Sequence, residues 1–141
     1  MNLVAGIDIG GTKTKIGLID QYGKSHGKTF FRTREYPNID DFLDEIIRSI
    51  GILKDKVAQN INLIGIGIGA PNASSKRGTI ENAANLAWKG SVPLVQMLKS
   101  RLDVPIKIMN DASAAALGEM MFGGAKGMDD FIVVTLGTGL G

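Results

Sequence analysis

Three features place the sequence in the α/β class. Residues 3–20 hold two apolar strands joined through Asp8-Ile9-Gly10-Gly11-Thr12-Lys13. A helical apolar pattern from Phe42 to Val57 leads into a strand pattern at 63–69. A second short strand, 104–109, runs straight into a helix at Asn110-Asp111.

Composition sets the outer limits. A chain of 141 residues with 44% hydrophobic content and mixed charge can bury one proper core, so one compact domain is expected. Lys and Arg total 16 against 14 Asp and Glu, and a net charge of +2 argues for neither nucleic acid nor a membrane surface. The basic residues are scattered, and their mild enrichment over 24–34 reads as a solvated edge strand. With no cysteine there is neither a disulfide framework nor a thiolate metal site. Met1-Asn2-Leu3-Val4 lacks a signal-like n-region, and no stretch is apolar enough to span a bilayer. A soluble, cytoplasmic protein is expected. Its 19 glycines exceed the roughly 7% of average usage and sit in strands and loops, where they permit close backbone approach.

In the opening hairpin, Leu3, Val4, Ile7 and Ile9 suit a buried strand, while Thr14, Ile16 and Leu18 alternate with Lys13, Lys15 and Gly17. Gly10-Gly11 makes the turn. Paired glycines allow positive φ and leave backbone N–H groups open to an oxyanion, with Asp8, Thr12 and Lys13 around that space. The same residues also suit a plain tight hairpin. After the turn at 20–23, residues 28–33 form a third antiparallel strand, and His26 lies in its polar approach as a surface loop residue without a role. Asn38 is placed to cap a helix whose face is Phe42, Leu43, Ile46, Ile47, Ile50, Leu53 and Val57.

In 63–69, Ile64, Ile66 and Ile68 alternate with Gly65, Gly67 and Gly69, leaving a bare backbone face for a crossing helix or, at the carboxyl end, a ligand. An irregular segment runs from Ala70-Pro71-Asn72 to Gly78, and 81–88 also reads as irregular. That second segment brings Asn82 and Asn85 near Trp88: amides beside an aromatic suit a sugar site, and a buried tryptophan anchoring a loop suits the same residues. Ser91-Val92-Pro93 opens a short helix burying Leu94, Val95, Leu98 and Leu102. The alanine-rich helix after Asn110-Asp111 is built to sit tight against a sheet, the glycine face of 63–69 being one candidate, and Gly123-Gly124 stops it. Asp111 occupies the position of an N-cap. At the end of a strand in an α/β sheet it also points into the crevice where ligands bind, and could accept a hydroxyl proton. Residues 131–136 read as a buried strand entering Gly137-Thr138-Gly139, a second turn able to donate to phosphate. The chain stops before a return strand, so it reads as the first part of a longer protein.

These stretches together resemble the actin-like ATPase superfamily and, within it, the ROK family of bacterial sugar kinases and repressors, often glucokinase-like. Residues 8–13 resemble the first phosphate motif, and Asn85-Leu86-Ala87-Trp88 a family signature. Asn110-Asp111 with residues 114–119 resembles the sugar-binding and catalytic segment, and residues 136–141 the second phosphate motif. The resemblance implies an RNase H-like mixed sheet of three antiparallel and two parallel strands flanked by helices. Residues 1–125 would be the N-terminal sugar-kinase lobe, and 126–141 the first strand and phosphate turn of a second lobe.

By the same resemblance, Asp8 would orient Mg2+ through water, Gly10, Gly11, Thr12 and Lys13 would meet ATP, and Gly137, Thr138 and Gly139 would hold its phosphates. Asn85, Asn110 and Asp111 would bind a hexose, Asp111 serving as base. ATP and Mg2+ are the implied cofactors, and any zinc site belongs to a second lobe. The expected partners are a hexose and further copies in a homo-oligomer, with no nucleic acid and no membrane. A sugar-sensing regulator is the alternative; regulators of the family resemble this fold preceded by a DNA-binding helix-turn-helix, and here the first strand starts near Met1. The isolated chain is expected to be inactive. Asn72 stands where many members have glycine, which bears on the shape of that loop.

Overall fold

The computed structural model describes residues 1–57 and 60–136. Strands β1 (Asn2–Ile9), β2 (Lys13–Ile19) and β3 (Ser25–Arg32) pair antiparallel, and the helix α1 (Ile39–Lys56) leads to β4 (Asn62–Ala70), parallel to β1. A small antiparallel sheet of β5 (Ala73–Ser74), β6 (Thr79–Glu81) and β7 (Ser91–Val92) precedes α2 (Leu94–Lys99). Then β8 (Ile106–Asn110) pairs parallel to β4 and enters α3 (Asp111–Phe122). The main sheet runs β3-β2-β1-β4-β8, the expected mixed sheet, with the basic stretch on an edge strand.

The sheet has two unlike faces because its strands alternate. Leu3, Ala5, Ile7 and Ile9 of β1 bury on one side with Ile16, Leu18, Ile66, Ile68, Ile106 and Ile108. Helix α1 covers this side over β2 and β3, inserting Phe42, Leu43, Ile46, Ile50 and Leu53. Each such side chain contributes roughly 1.5–3 kcal/mol. Asn38 caps the helix as expected, its Oδ1 accepting from the N–H of Asp40 at 2.8 Å and of Asp41 at 3.3 Å. Trp88 packs on Phe42 with ring centroids 4.3 Å apart, and Phe31 meets Phe42 and Tyr36 edge-on.

On the other side Gly17, Gly6 and Gly67 stand in register across β2, β1 and β4. Helix α3 crosses here, but it touches the bare backbone only at the end expected to meet a ligand. A Cβ on Gly69 would lie 3.2 Å from Ala114 Cβ, whereas one on Gly67 would meet nothing within 4 Å. At its far end the Phe122 ring lies against Gly23 of the β2–β3 turn. The expected close seat of the alanine helix on the glycine face of 63–69 is thus made at Ala114 on Gly69 alone, and no residue of α3 is buried.

Other expectations are corrected. The segment from Ala70 to Gly78 is not wholly irregular, since it holds β5, and 81–88 is irregular after Glu81; strands of two and three residues are too short to show a period. Ser91 and Val92 are strand, and the helix begins only after Pro93, at Leu94. Residues 131–135 form no strand, Leu136 alone makes an isolated bridge, and Ile132 is 90% exposed rather than buried. His26 sits within β3 rather than in a loop, its Nε2 2.7 Å from Asp20 Oδ2, and this contact chiefly holds the Asp20 carboxyl below its ordinary range.

Glu45, on the mostly apolar face of α1, is buried. Arg48 donates to it from Nε and Nη2 at 2.8 and 2.7 Å, and Ser49 donates at 3.1 Å. Arg48 first, and the hydroxyls of Tyr36 and Ser49 after it, hold the Glu45 carboxyl below its ordinary range against the opposing effect of burial. Glu45→Ala should cost about 1–3 kcal/mol in urea denaturation, since it leaves buried hydroxyls unpartnered. A carboxyl whose folded pKa lies below its unfolded value stabilises above the unfolded value and loses that contribution as pH falls through the folded one. The advantage of wild type over Glu45→Gln should therefore shrink below about pH 4.

Candidate active site

The turn after β1 is tight because Gly10 N–H donates to Lys13 O at 3.0 Å. Neither Gly10 nor Gly11 has positive φ, so the expected conformational reason for glycine does not apply. The reason is close approach. A Cβ on Gly10 would lie 2.8 Å from Lys13 O, and one on Gly11 would lie 2.7 Å from Asn85 Cβ and 2.8 Å from Asn85 O. Since Gly10 N–H is spent within the turn, Gly11 carries the glycine N–H left for a ligand. Thr33, just past β3, holds the turn from behind: its N–H donates to Thr12 O at 3.0 Å and its hydroxyl to Gly10 O at 2.7 Å.

Asp8 and Lys15 face each other across β1 and β2, 3.9 Å apart and solvent-exposed. The Lys13 ammonium rests over the Phe30 ring, 4.7 Å from its centroid, so the structure turns it toward the β3 edge. Asp8 pairs with Gly69, Gly69 pairs with Met109, and the Cβ position of Gly69 is 3.5 Å from Asp111 Cα. A residue without a side chain thus separates the two acidic candidates. The parallel strands β1, β4 and β8 all end at this edge, where ligands of α/β sheets bind.

The cap of α3 is Asn110, not Asp111. Asn110 Oδ1 accepts from the N–H of Ala112 at 3.0 Å and of Ser113 at 3.4 Å. Asp111 is the first helical residue, exposed, with Oδ1 accepting from Ala112 N–H at 2.8 Å. Asn110 keeps its amide NH2 as the donor end.

Asn85 is brought against the hairpin through Gly11, so the sugar-side and phosphate-side candidates adjoin. Trp88 is buried on Phe42 and anchors the loop; its face is no sugar platform. Asn72 has φ +51°, the left-handed region where glycine and asparagine are the favoured residues, so its replacement of glycine keeps the backbone path. Asn82, at φ +47°, accepts from Gly90 N–H and gives its own N–H to Gly90 O, closing the loop that carries Asn85. Gly137, Thr138 and Gly139 lie outside the described residues. Thr33 and Gly69 were not among the sequence candidates. Gly69 showed only as one of a row, and Thr33 gave no signal.

Sheet order, the glycine hairpin and a carboxylate opening a helix at a parallel strand's end together define a lobe of the RNase H-like, actin-like kinase architecture. The chain belongs to the ROK family, whose family model matches residues 4–141. It is 35% identical over 142 residues to the glucokinase of Streptomyces coelicolor, covering 100% of this chain and 43% of that protein. The ROK family glucokinase of Streptomyces griseus, solved with glucose and AMPPNP, superposes with a TM-score of 0.85 at 36% identity, over 99% of this chain and 43% of that one. A Caldicellulosiruptor protein named for xylose repression is 31% identical over 147 residues, covering 100% of this chain and 36% of that protein. The chain thus spans less than half the length of these relatives. Among the described residues no helix is long and apolar enough to cross a membrane.

The close approach of Gly11 to Asn85 is directly testable. Gly11→Ala should destabilise by about 1–3 kcal/mol through overpacking, whereas Gly67→Ala, with open space and no positive φ, should be neutral or stabilise by up to about 1 kcal/mol. Thermal unfolding of the two variants side by side decides it.

Proposed function

We propose that this chain is the sugar-binding lobe of an ATP-dependent hexose kinase, glucokinase-like, with Asp111 as general base. One observation carries the reading: Asp8 and Asp111 flank Gly69 at the shared carboxyl edge of β1, β4 and β8, beside the glycine hairpin. The glucose and AMPPNP bound by the Streptomyces griseus glucokinase support it.

The exposed Asp8 carboxylate, with Lys15 3.9 Å away, fits Mg2+, which keeps several waters and takes the rest of its shell from one or two carboxylates and substrate phosphates. Bound there, Mg2+ would supply charge neutralisation of the nucleotide phosphates. Gly11 N–H and Thr12 would hold the terminal phosphate, with Lys13 as a nearby cation. Asn110 NH2 and Asn85 would orient the sugar. Asp111 would accept the hydroxyl proton as that oxygen takes the phosphoryl group and ADP leaves; the chemistry asks mainly for positioning and charge stabilisation. Gly137, Thr138 and Gly139 belong to this proposal as further phosphate donors. The remaining nucleotide contacts are assigned to a second lobe, so residues 1–141 alone are expected to turn over no ATP.

Assaying the intact protein with Mg-ATP and a panel of hexoses should give ADP with at least one sugar. Sugar binding without ADP from any hexose would overturn the kinase reading in favour of a sugar-sensing regulator. Asp111→Asn should lower kcat by about 10²–10⁴-fold while sugar Kd, by calorimetry, stays within about threefold. An unchanged kcat would remove Asp111 as base.

A further inference from the structure

We infer that Thr33, backed by Thr14, is a positioning residue that aims the Gly11 N–H at the bound phosphate. The inference rests on the phosphate-binding reading of the hairpin proposed above and extends it to two residues on the opposite side of the sheet.

Proton counting fixes the direction of the contact. Thr33 has one hydroxyl proton, and it goes to Gly10 O at 2.7 Å. The contact between Thr14 Oγ1 and Thr33 Oγ1 at 2.9 Å must then have Thr14 as donor. A directed chain results, from Thr14 to Thr33 to the Gly10 carbonyl, and both threonines are buried, at 0% and 5% exposure. Buried hydroxyls without partners are costly, so the chain resists rearrangement.

Its consequence falls on one peptide plane. The Gly10–Gly11 peptide is trans, as all described peptides are, so its C=O and N–H point opposite ways. With the carbonyl drawn toward Thr33, the Gly11 N–H is turned away from it. Thr14 pairs with Ile9 and buries on the core face; Asp8, the next residue along β1, is exposed on the other. The Gly11 N–H therefore faces the Asp8 side. A second hydrogen bond, Thr33 N–H to Thr12 O at 3.0 Å, stops the turn from rotating as a unit. Glycine at position 11 leaves that peptide easy to flip, which is why an external clamp matters.

The test compares Thr33→Val, which keeps shape and loses the hydroxyl, with Thr33→Ser, which keeps the hydroxyl, in the intact protein. Thr33→Val should raise KM for Mg-ATP about tenfold while KM for the hexose stays within about twofold, since one hydrogen bond to a charged group is misaimed. Thr33→Ser should restore KM for Mg-ATP to within about threefold. Thr14→Val should act more weakly, because Thr33 still donates to Gly10. Equal nucleotide KM in wild type and Thr33→Val, or an equal rise in both KM values, would overturn the inference. Should Thr33→Val not fold, 15N NMR of wild type titrated with Mg-AMPPNP decides: the Gly11 amide resonance should move downfield, and an unmoved resonance overturns the assignment. The two readings separate cleanly. A Gly11 shift without ADP formation sinks the kinase and keeps the clamp; ADP formation without a Gly11 shift does the reverse.

Discussion

Asp8 pairs with Gly69 on one side, and Asp111 starts its helix against Gly69 on the other. That position tolerates no bulk: a Cβ would already sit 3.2 Å from Ala114, tighter than ordinary contact. A larger side chain would lift the first turn of α3 off the sheet and carry Asp111 with it. The site depends on this approach because parallel pairing alone only brings strand ends to one edge. How far apart two carboxylates stand across that edge is set by what lies between them. Here nothing but backbone does.

The two faces of the sheet divide the work. Large aliphatic and aromatic side chains under α1 make one face rigid, and the Thr14–Thr33 hydroxyl chain passes that rigidity to the back of the hairpin. The glycine face is shallow. Helix α3 lies over it without a single buried residue, held by Ala114 on Gly69 at one end and Phe122 on Gly23 at the other. Elements with little buried apolar contact lie at the low end of local stability, so motion in this lobe should concentrate in α3 and spare the hairpin.

The sequence made some of this legible and hid the rest for physical reasons. Strand alternation exposed β1, β2 and β4, and a capped amphipathic period exposed α1 with its Asn38 cap. Those signals are local and repeat over many residues. The β5-β6-β7 sheet gave no signal because strands of two or three residues hold less than two full periods. Residues 131–135 carry the right residues for a strand, but a strand is made by its pairing, which periodicity does not report. Among site residues, Gly10 and Gly11 suggest both φ freedom and an open backbone, and the structure uses only their missing side chains. Thr33 stayed hidden because its partners, Thr14 and Gly10, lie 19 and 23 residues away. His26 likewise gains its meaning from Asp20.

Asn110 and Asp111 show how one residue's structural duty releases another. An asparagine and an aspartate in sequence at a helix start are both good caps, and side-chain chemistry alone does not choose between them. The strand does. Asn110 is still in β8, its backbone extended at φ −57° and ψ 142°, so its oxygen meets two successive N–H groups of the first turn. Asp111 has already entered the helix and cannot reach the same pair; its Oδ1 touches only the N–H of the next residue. The cap is thus filled by a neutral amide. The carboxylate stays exposed at the positive end of the helix, with one oxygen uncommitted by the cap.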